Sequence, residues 1–379
     1  MKKIWPFLYY IFIFLGFASY GPFLVLYYQS LGFTGAQIGL VAGITPLILL
    51  FAAPLWTGWA DRHRTHRLVM SVALLLMAVL IAILPTLRAY LPIVLLLFAF
   101  QFFYAPISAL ADSATLYMLG DQRDQYGRVR VGGTLGFGVG ALIAGTVVEN
   151  AGLRSTFWFA SAMFLMCLLI SQKLQHDPTH VGSRAQSGTR QLLTNPAWLI
   201  FLLLAFAGGI GTVVTYTYLF SFLDELGASE SLMGITLTVG TIFELPVLFF
   251  GSYLVRRFKP YPLFILGLVI TGARFLLFGM ATAPAWIIVL QVFSGLTFGA
   301  MWLGAVAYAH ENALPGYSAS AQGMLNAMVF GIGAAAGNFF GGLLLDALGV
   351  AGMYFTFGIV ILAIVLLGVL LGKRVSVTG

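Results

Sequence analysis

Long apolar runs separated by short polar breaks dominate this chain of 379 residues. Each run covers roughly 20 residues, enough for an α-helix to cross a hydrocarbon core about 30 Å thick. The runs lack the alternation of apolar and polar positions that is typical of a membrane β-strand, and a helix satisfies its own backbone hydrogen bonds in lipid. We therefore predict an all-α integral membrane protein. The twelve predicted spans are 4–28, 36–60, 68–87, 92–118, 131–150, 154–172, 197–222, 232–255, 261–281, 285–310, 319–345 and 350–372.

The composition supports a chain embedded in a bilayer, because 60% of its residues are hydrophobic and 8% are charged. A soluble domain needs far more polar surface. Three charged residues nevertheless lie inside the apolar runs: Asp112, Glu244 and Arg274. An ionised group at the bilayer centre costs about 2.5–3.5 kcal/mol on the insertion scale, so such residues usually face a protein interior or a water-filled pathway. We expect these three residues to mark the place where the protein works.

The positive charges are distributed mostly on one side of the membrane. The net charge of +7 on its own would also suit a nucleic-acid partner. If the N-terminus is inside, however, 16 of the 19 Lys and Arg residues fall on the cytoplasmic side, as the positive-inside rule requires. We predict cytoplasmic termini, no nucleic-acid partner and a multi-pass protein of the prokaryotic inner (plasma) membrane. The single cysteine, Cys167, cannot form an intramolecular disulfide and is expected to be a packing residue.

The chain divides into two similar halves. The longest polar interval, 173–195, is predicted to be a cytoplasmic linker between an N-terminal bundle of six helices (1–172) and a C-terminal one (196–379). Leu31-Gly32 recurs as Leu226-Gly227, 195 residues later. Duplicated units of this kind characterise secondary transporters, in which two bundles rock around a midplane site, and the repeated glycines would let helices approach closely. With an offset of 197 residues, Gly136, Gly140, Gly145, Glu149 and Gly152 recur as Gly333, Gly337, Gly342, Asp346 and Gly349.

Short motifs along nearly the whole chain carry a family resemblance. They are residues 20–24 and 31–40, Pro54-Leu55-Trp56, Ala60-Asp61-Arg62, residues 126–130 followed by Gly132-Gly133, Phe243-Glu244-Leu245, Gly272-Ala273-Arg274 and residues 295–299. Together they resemble the major facilitator superfamily, and within it the branch that contains lactose permease, nucleoside–proton symporters and phenylpropionate permeases. The resemblance implies the major facilitator fold, with twelve transmembrane helices in two pseudo-symmetric bundles of six.

The chain departs from the family pattern at two places. Thr57 stands where the loop signature has glycine, and Ser294 stands where this branch often has histidine. Because Ser294 cannot titrate, we do not transfer the proton relay of lactose permease to the tenth helix. The resemblance still implies a cytoplasmic gate, in which Asp61 favours a helix N-terminus and pairs with an arginine of a neighbouring loop. The predicted members of this gate are Asp61, Arg62, Arg128 and Arg130.

Polar and aromatic side chains recur at helical spacing in several spans. Gln101, Ser108 and Asp112, for example, share one face of the fourth span. Each of these side chains could form an interhelical hydrogen bond or a packing contact, because polar groups commonly join membrane helices. The alternative is a substrate cavity, and the predicted lining residues are Tyr20, Tyr27, Gln101, Ser108, Tyr216, Gln291, Ser294 and Asn326.

The buried charges suggest how transport is driven. Asp112 and Glu244 are candidate protonation sites, because a desolvated carboxylate binds a proton more readily. Arg274 lies in the span after Glu244 and is predicted to be its counterion or an anion contact, either as a structural pair or as a pair that substrate or proton opens. The sequence contains no P-loop and no plausible metal-ligand cluster. We therefore expect no cofactor, no catalytic residues and no metal, with protons as the coupling ion.

These features lead to a hypothesis of secondary active transport and not of enzyme activity. The protein would move a small organic solute by alternating access in proton-coupled symport, as a monomer in the lipid bilayer. The class of solute stays open among a sugar, a nucleoside and an aromatic acid. A proton-driven exporter of drugs or amphipathic lipids is one alternative, although 132–145 lacks the glycine–proline pair of the antiporter signature. An integral-membrane enzyme that uses Asp112 or Glu244 as an acid–base group is the other.

Overall fold

The computed structural model describes residues 4–176, 192–313 and 317–377, and every regular element in those ranges is a helix. One helical stretch begins at Ser318, ends at Val377 and is divided at Gly349. The part before Gly349 is α11 (318–348), and the part after it is α12 (350–377). The ten longer helices before them are α1 (Ile4–Ser30), α2 (Gly35–His63), α3 (His66–Thr86), α4 (Tyr90–Gln122), α5 (Tyr126–Ala151), α6 (Ser155–Ser171), α7 (Pro196–Glu225), α8 (Glu230–Phe249), α9 (Pro260–Gly279) and α10 (Pro284–Glu311).

The prediction of twelve spanning helices is confirmed. Ten stretches of the described chain are long and apolar enough to cross a membrane. One of these stretches contains both α11 and α12, because Gly349 has the non-helical angles φ 69° and ψ 177°. The 17-residue α6 is the remaining helix. The predicted eighth span, 232–255, is divided in the structure, since α8 ends at Phe249 and a short separate helix covers Gly251–Phe258.

Irregular turns interrupt several helices. The helical hydrogen bonding of α4 is broken at Pro106, because proline lacks the N–H that a helix interior needs. The structure also has π-helical turns over Gly295–Gly299 in α10 and Ala327–Gly333 in α11. Such turns are frequent at functional sites. They lie directly after Ser294 and Asn326, two of the predicted cavity residues.

The chain forms two compact units that exchange one segment each. One unit contains most of the first half of the sequence together with Ser229–Thr238, and the other contains most of the second half together with Thr34–Pro46. Both α2 and α8 therefore begin in one unit and continue into the other. Residues 177–191 of the predicted linker lie outside the described residues, and the predicted division into bundles 1–172 and 196–379 stays a prediction.

The internal repeat of glycines is also a repeat of helix packing. In the first unit α5 lies against α1, and a Cβ atom on Gly140 would be 2.9 Å from the Cα of Leu15. In the second unit α11 lies against α7, and a Cβ atom on Gly337 would be 3.1 Å from the Cα of Ile210. The two glycines are 197 residues apart and their partners 195 residues apart. Small residues at these positions let the backbones approach closely, which is how helices pack in lipid.

Replacing Gly136 with alanine should weaken the contact between α1 and α5. The ideal Cβ position on Gly136 lies 2.8 Å from the Cα of Ile11, and overpacking of this kind costs about 1–3 kcal/mol. We expect a lower midpoint of thermal unfolding in detergent, measured by intrinsic fluorescence. Gly127→Ala in the same helix is the control, because beyond the adjoining backbone no atom of the described residues lies within 4 Å of its Cβ position. Equal midpoints for the two variants would contradict this packing.

Candidate functional site

The first polar cluster joins α1, α4 and α5 within one unit. The Tyr10 hydroxyl donates a hydrogen bond to Asp112 Oδ1 at 2.5 Å, and Arg130 Nη1 donates to the same oxygen at 3.0 Å. The carboxylate of Asp112 therefore has a cationic partner from a neighbouring helix, although none is present in its own. The Asp112 side chain is 33% exposed and that of Arg130 is 36% exposed, so the pair is open to a small molecule.

Aromatic rings cover the guanidinium group of Arg130. Its Cζ lies 4.9 Å from the centre of the Tyr10 ring and 5.4 Å from that of Phe14. Cation–π contacts of this kind contribute about 0.5–1 kcal/mol at exposed sites. Thr115, three residues after Asp112, has its hydroxyl 3.4 Å from that of Tyr10. The cluster thus combines a carboxylate acceptor, a guanidinium donor and an aromatic face, which suits hydroxyl groups and the apolar face of a ring.

The residues of the predicted cytoplasmic gate pair differently from the prediction. Asp61 Oδ1 lies 2.7 Å from Nε2 of His66, at the start of α3. Arg130, a predicted partner of Asp61, is bound to Asp112 instead, because its position one turn into α5 faces α4. Arg62 and Arg128 are exposed, and no ion pair among the described residues includes them.

A second histidine adds to the pair of Asp61 and His66. The ring of His176 stacks on that of His66, with ring centres 5.8 Å apart. Burial, together with the neighbouring His66 and Arg67, lowers the pKa of His176 to about 4. His176 is therefore neutral at physiological pH. It follows α6, and the loop signature did not predict its stacking on His66.

The second polar cluster surrounds Arg274 of α9 in the other unit. The Arg274 side chain is 4% exposed. Its Nη1 donates to Thr297 Oγ1 at 3.3 Å, its Nη2 donates to Gln291 Oε1, and its Cζ lies 4.8 Å from the centre of the Phe278 ring. Its Nε has no hydrogen-bond partner among the described residues. Arg274 is thus a buried cation that is stabilised by hydrogen bonds to neutral side chains and by a cation–π contact.

Gln291 extends this cluster toward α8. Its Oε1 also accepts a hydrogen bond from Ser294 Oγ at 2.8 Å. Both of these oxygens lie 3.0 Å from the position that a Cβ atom on Gly240 of α8 would take, so a side chain there would crowd them. One turn after Gly240 comes Glu244, whose Cγ lies 3.8 Å from the Cβ position of Gly299 in α10.

Glu244 and Arg274 do not form the predicted ion pair. No ion pair among the described residues includes Glu244, and no described group is hydrogen-bonded to its carboxylate. The reason is geometric, because Gln291 binds the guanidinium group and lies with Ser294 against Gly240, while Glu244 lies one turn farther along α8. The described acids are also dispersed, and no group of three or more His, Cys, Asp or Glu among them could hold a metal ion.

Three predicted cavity residues make contacts inside their own unit. Tyr20 is buried, and the hydroxyl of Tyr27 donates to the carbonyl of Leu87 at 2.9 Å. The Asn326 amide donates to the carbonyl of Gln322, one turn earlier in the same helix, at 2.8 Å. Tyr20 packs edge-on or tilted against the rings of Phe17, Phe100 and Phe164. These contacts account for Tyr20 and Tyr27 as packing residues and for Asn326 as a residue bonded to its own helix.

The other predicted cavity residues differ in their surroundings. Gln291 and Ser294 belong to the second cluster. Gln101 has a buried Oε1 without a hydrogen-bond partner among the described residues. Ser108 is exposed, and the Tyr216 side chain is 37% exposed. Gln101 and Ser108 join none of the polar contacts described above, whereas Tyr216 interacts electrostatically with both Arg274 and Glu244.

The two clusters include three residues that the sequence analysis did not propose for the site. Tyr10 lies in an aromatic-rich helix, where spacing alone cannot show which ring faces α4. Thr297 lies inside a π-helical turn, which shifts the face of α10. Phe278, however, follows Arg274 by four residues in α9. That spacing places two side chains on the same helix face, so it could have predicted the cation–π contact.

Comparison with known proteins identifies the family. Residues 5–357 match the profile of the MFS_1 like family. The maltose permease of Geobacillus stearothermophilus is 27% identical over 384 residues, which cover 100% of this chain and 96% of the permease. The uncharacterized transporter YwbF of Bacillus subtilis (strain 168) is 26% identical over 362 residues, covering 94% of this chain and 90% of that protein. The crystal structure of the nucleoside transporter NupG matches with a TM-score of 0.83 at 18% identity, covering 98% of each chain.

The structural likeness confirms the major facilitator fold that the motifs implied. The match to the family covers most of the chain, and the similar proteins are transporters, so the alternative of a membrane enzyme is set aside. The protein transports small solutes across a membrane, and its chain belongs to the MFS_1 like family of the major facilitator superfamily.

Proposed function

We propose that this transporter is a proton-coupled symporter for a neutral solute rich in hydroxyl groups, of the sugar or nucleoside class. One contrast carries the proposal. The carboxylate of Asp112 is held by a cation and a hydroxyl group, whereas that of Glu244 is in no ion pair and no hydrogen bond with a described residue. We assign the first carboxylate to the solute and the second to the proton.

The pair of Asp112 and Arg130 suits a neutral solute. Its opposite charges balance, so an ionic solute gains no net attraction from it. Its acceptor and donor atoms can form charge-assisted hydrogen bonds with hydroxyl groups, and the rings of Tyr10 and Phe14 offer an apolar face. The aromatic-acid class is less well matched, because Arg274 is too deeply buried to meet a carboxylate. The names of two similar proteins, a maltose permease and a nucleoside transporter, support the same class of solute.

Glu244 suits the coupling proton. Glu244 is half-buried, and burial disfavours the ionised form of a carboxyl group unless a cation or donor groups compensate it. No described cation is paired with Glu244, and no described donor is hydrogen-bonded to it. Gln291 binds Arg274, and both Gln291 and its hydrogen-bond partner Ser294 lie against Gly240 of α8. Tyr216 of α7 interacts electrostatically with both Glu244 and Arg274, so loss or gain of a proton on Glu244 can act on Arg274 through this residue.

Glu244→Gln should uncouple transport from the proton. In proteoliposomes with an imposed pH gradient, the native protein is expected to accumulate radiolabelled maltose or uridine against the solute gradient. The variant should lose this accumulation but retain exchange of labelled for unlabelled solute, because exchange needs no net proton movement. Glu225→Gln, at the exposed end of α7, is the matched control. Accumulation by Glu244→Gln at the native level would overturn the assignment.

Changes to the first cluster should weaken solute binding. Arg130→Gln and Asp112→Asn each remove a charge-assisted hydrogen bond, worth about 1.5–3 kcal/mol, so we expect affinity to fall at least about tenfold. Tyr10→Phe should cost less, because the carboxylate keeps its arginine. The measurement is calorimetric titration of the purified protein with maltose and uridine, and Arg256→Gln at the surface is the control. An unchanged affinity of Arg130→Gln would remove this pair from the solute site.

A further inference from the structure

Two carboxylates bind the first turns of helices that come from the other half of the sequence. Near the end of α11, Asp346 Oδ1 accepts the N–H of Gly35 at 2.5 Å and its Oδ2 accepts that of Ala36 at 2.7 Å. These two residues begin α2. Near the end of α5, Glu149 Oε2 accepts the N–H of Ser231 at 3.0 Å, in the first turn of α8. Both carboxylate residues are exposed.

These contacts are not needed to start either helix, because each helix has a cap of its own. Thr34 Oγ1 accepts the N–H of Gln37 at 3.2 Å, and Gln37 Oε1 accepts the N–H of Thr34 at 3.0 Å. This reciprocal pair is a capping box. Before α8, Ser229 Oγ accepts the N–H of Leu232 at 3.3 Å. Asp346 and Glu149 bind N–H groups that the local caps leave free, so their contribution is to the contact between helices.

The arrangement occurs once in each half of the sequence. Glu149 and Asp346 are 197 residues apart, the same offset as the repeated glycines, and the local caps Thr34 and Ser229 are 195 residues apart. One carboxylate-to-helix contact has thus been duplicated with the bundle. A chance surface contact would not recur at both places.

Glycines let the same helix ends approach closely. A Cβ atom on Gly39 of α2 would be 2.8 Å from the Cα of Gly342 in α11, and one on Gly145 of α5 would be 3.1 Å from the Cα of Ser231 in α8. These contacts between helix backbones bury few side chains. Separating the helix ends therefore mainly breaks the hydrogen bonds between N–H groups and the exposed carboxylates, and water can replace these hydrogen bonds.

In the predicted topology, the ends of α5 and α11 and the starts of α2 and α8 all lie at the outer face of the membrane. We propose that Glu149 and Asp346 are two latches that hold this outer face closed, and that both latches open in each transport cycle. A helix N-terminus carries about half a positive charge, and a carboxylate there is favourable by about two- to fivefold at an exposed site. An interaction of this strength favours the closed state of the outer face and is still weak enough for the carboxylate to leave the helix end in each cycle.

The proposal rests on transport by alternating access, but not on the identity of the solute or on proton coupling. Each latch is formed within one compact unit, while α2 and α8 continue into the other unit. Opening a latch therefore frees the first turns of a helix whose remainder belongs to the other unit. The outer face can be followed directly, without solute and without a pH gradient.

The test is pulsed electron paramagnetic resonance on the full chain in nanodiscs. Spin labels are placed at Ala89→Cys, before α4, and Thr282→Cys, before α10, both exposed and at the predicted outer face. Cys167 is replaced by alanine, so that only the two introduced thiols react. The variants are Asp346→Asn, Glu149→Gln and the double change. Glu225→Gln is the control, since it removes an exposed carboxylate from the end of α7.

Each single change is expected to raise the ratio of longer to shorter label separations about two- to fivefold, and the double change by about the product. The control should match the native protein. If the folded double variant shows the same distribution of label separations as the native protein, or if Glu225→Gln shifts that distribution equally, Glu149 and Asp346 do not act as latches. The single variants decide the matter if the double variant does not fold. Failure of the native protein to take up maltose or uridine would overturn the proposed solute class and leave this result unaffected.

Discussion

An ionised side chain inside a membrane protein must be compensated by the groups around it, since an uncompensated buried charge costs several kcal/mol. The three charges in the spans of this transporter are compensated to different degrees. Asp112 has a full countercharge in Arg130 and a hydroxyl donor in Tyr10. Arg274 is held by two neutral side chains and a ring. Among the described residues, Glu244 is in no ion pair and no hydrogen bond, and we therefore assign the solute to Asp112 and the proton to Glu244.

The helix packing around these charged residues is duplicated in the two halves of the sequence, but the charged residues themselves are not. The glycines of α5 and α11 pack against α1 and α7 in the same way, and the carboxylates near the outer ends of α5 and α11 repeat as well. The positions 197 residues after Asp112 and Arg130, in contrast, hold Ala309 and Ala327. Duplication thus supplied two similar bundles and, in each half of the sequence, one carboxylate that binds the first turn of a helix. The polar chemistry then diverged, with one cluster in each unit.

Hydrophobic patterning was enough to predict the twelve helices, because span length depends on the thickness of the membrane and on little else. The same pattern picked out Asp112, Glu244 and Arg274, since charge is rare in such spans. It could not predict their partners, because spacing along a helix gives the face of a residue but not the neighbour that this face meets. Asp112 and Arg130 lie in separate helices, and the family resemblance implied Arg128 or Arg130 as the partner of Asp61 instead. Only the three-dimensional structure reveals that Gln291 lies beside Arg274.

Charge movement during transport tests the central claim most directly, namely that one proton accompanies a neutral solute through Glu244. Proteoliposomes adsorbed on a solid-supported membrane report this movement as a current when maltose or uridine is added without a pH gradient. Co-transport predicts a current that carries positive charge in the direction of solute movement and that disappears in Glu244→Gln, while isotope exchange continues. Solute flux without any current in the native protein, or an undiminished current in Glu244→Gln, would contradict it.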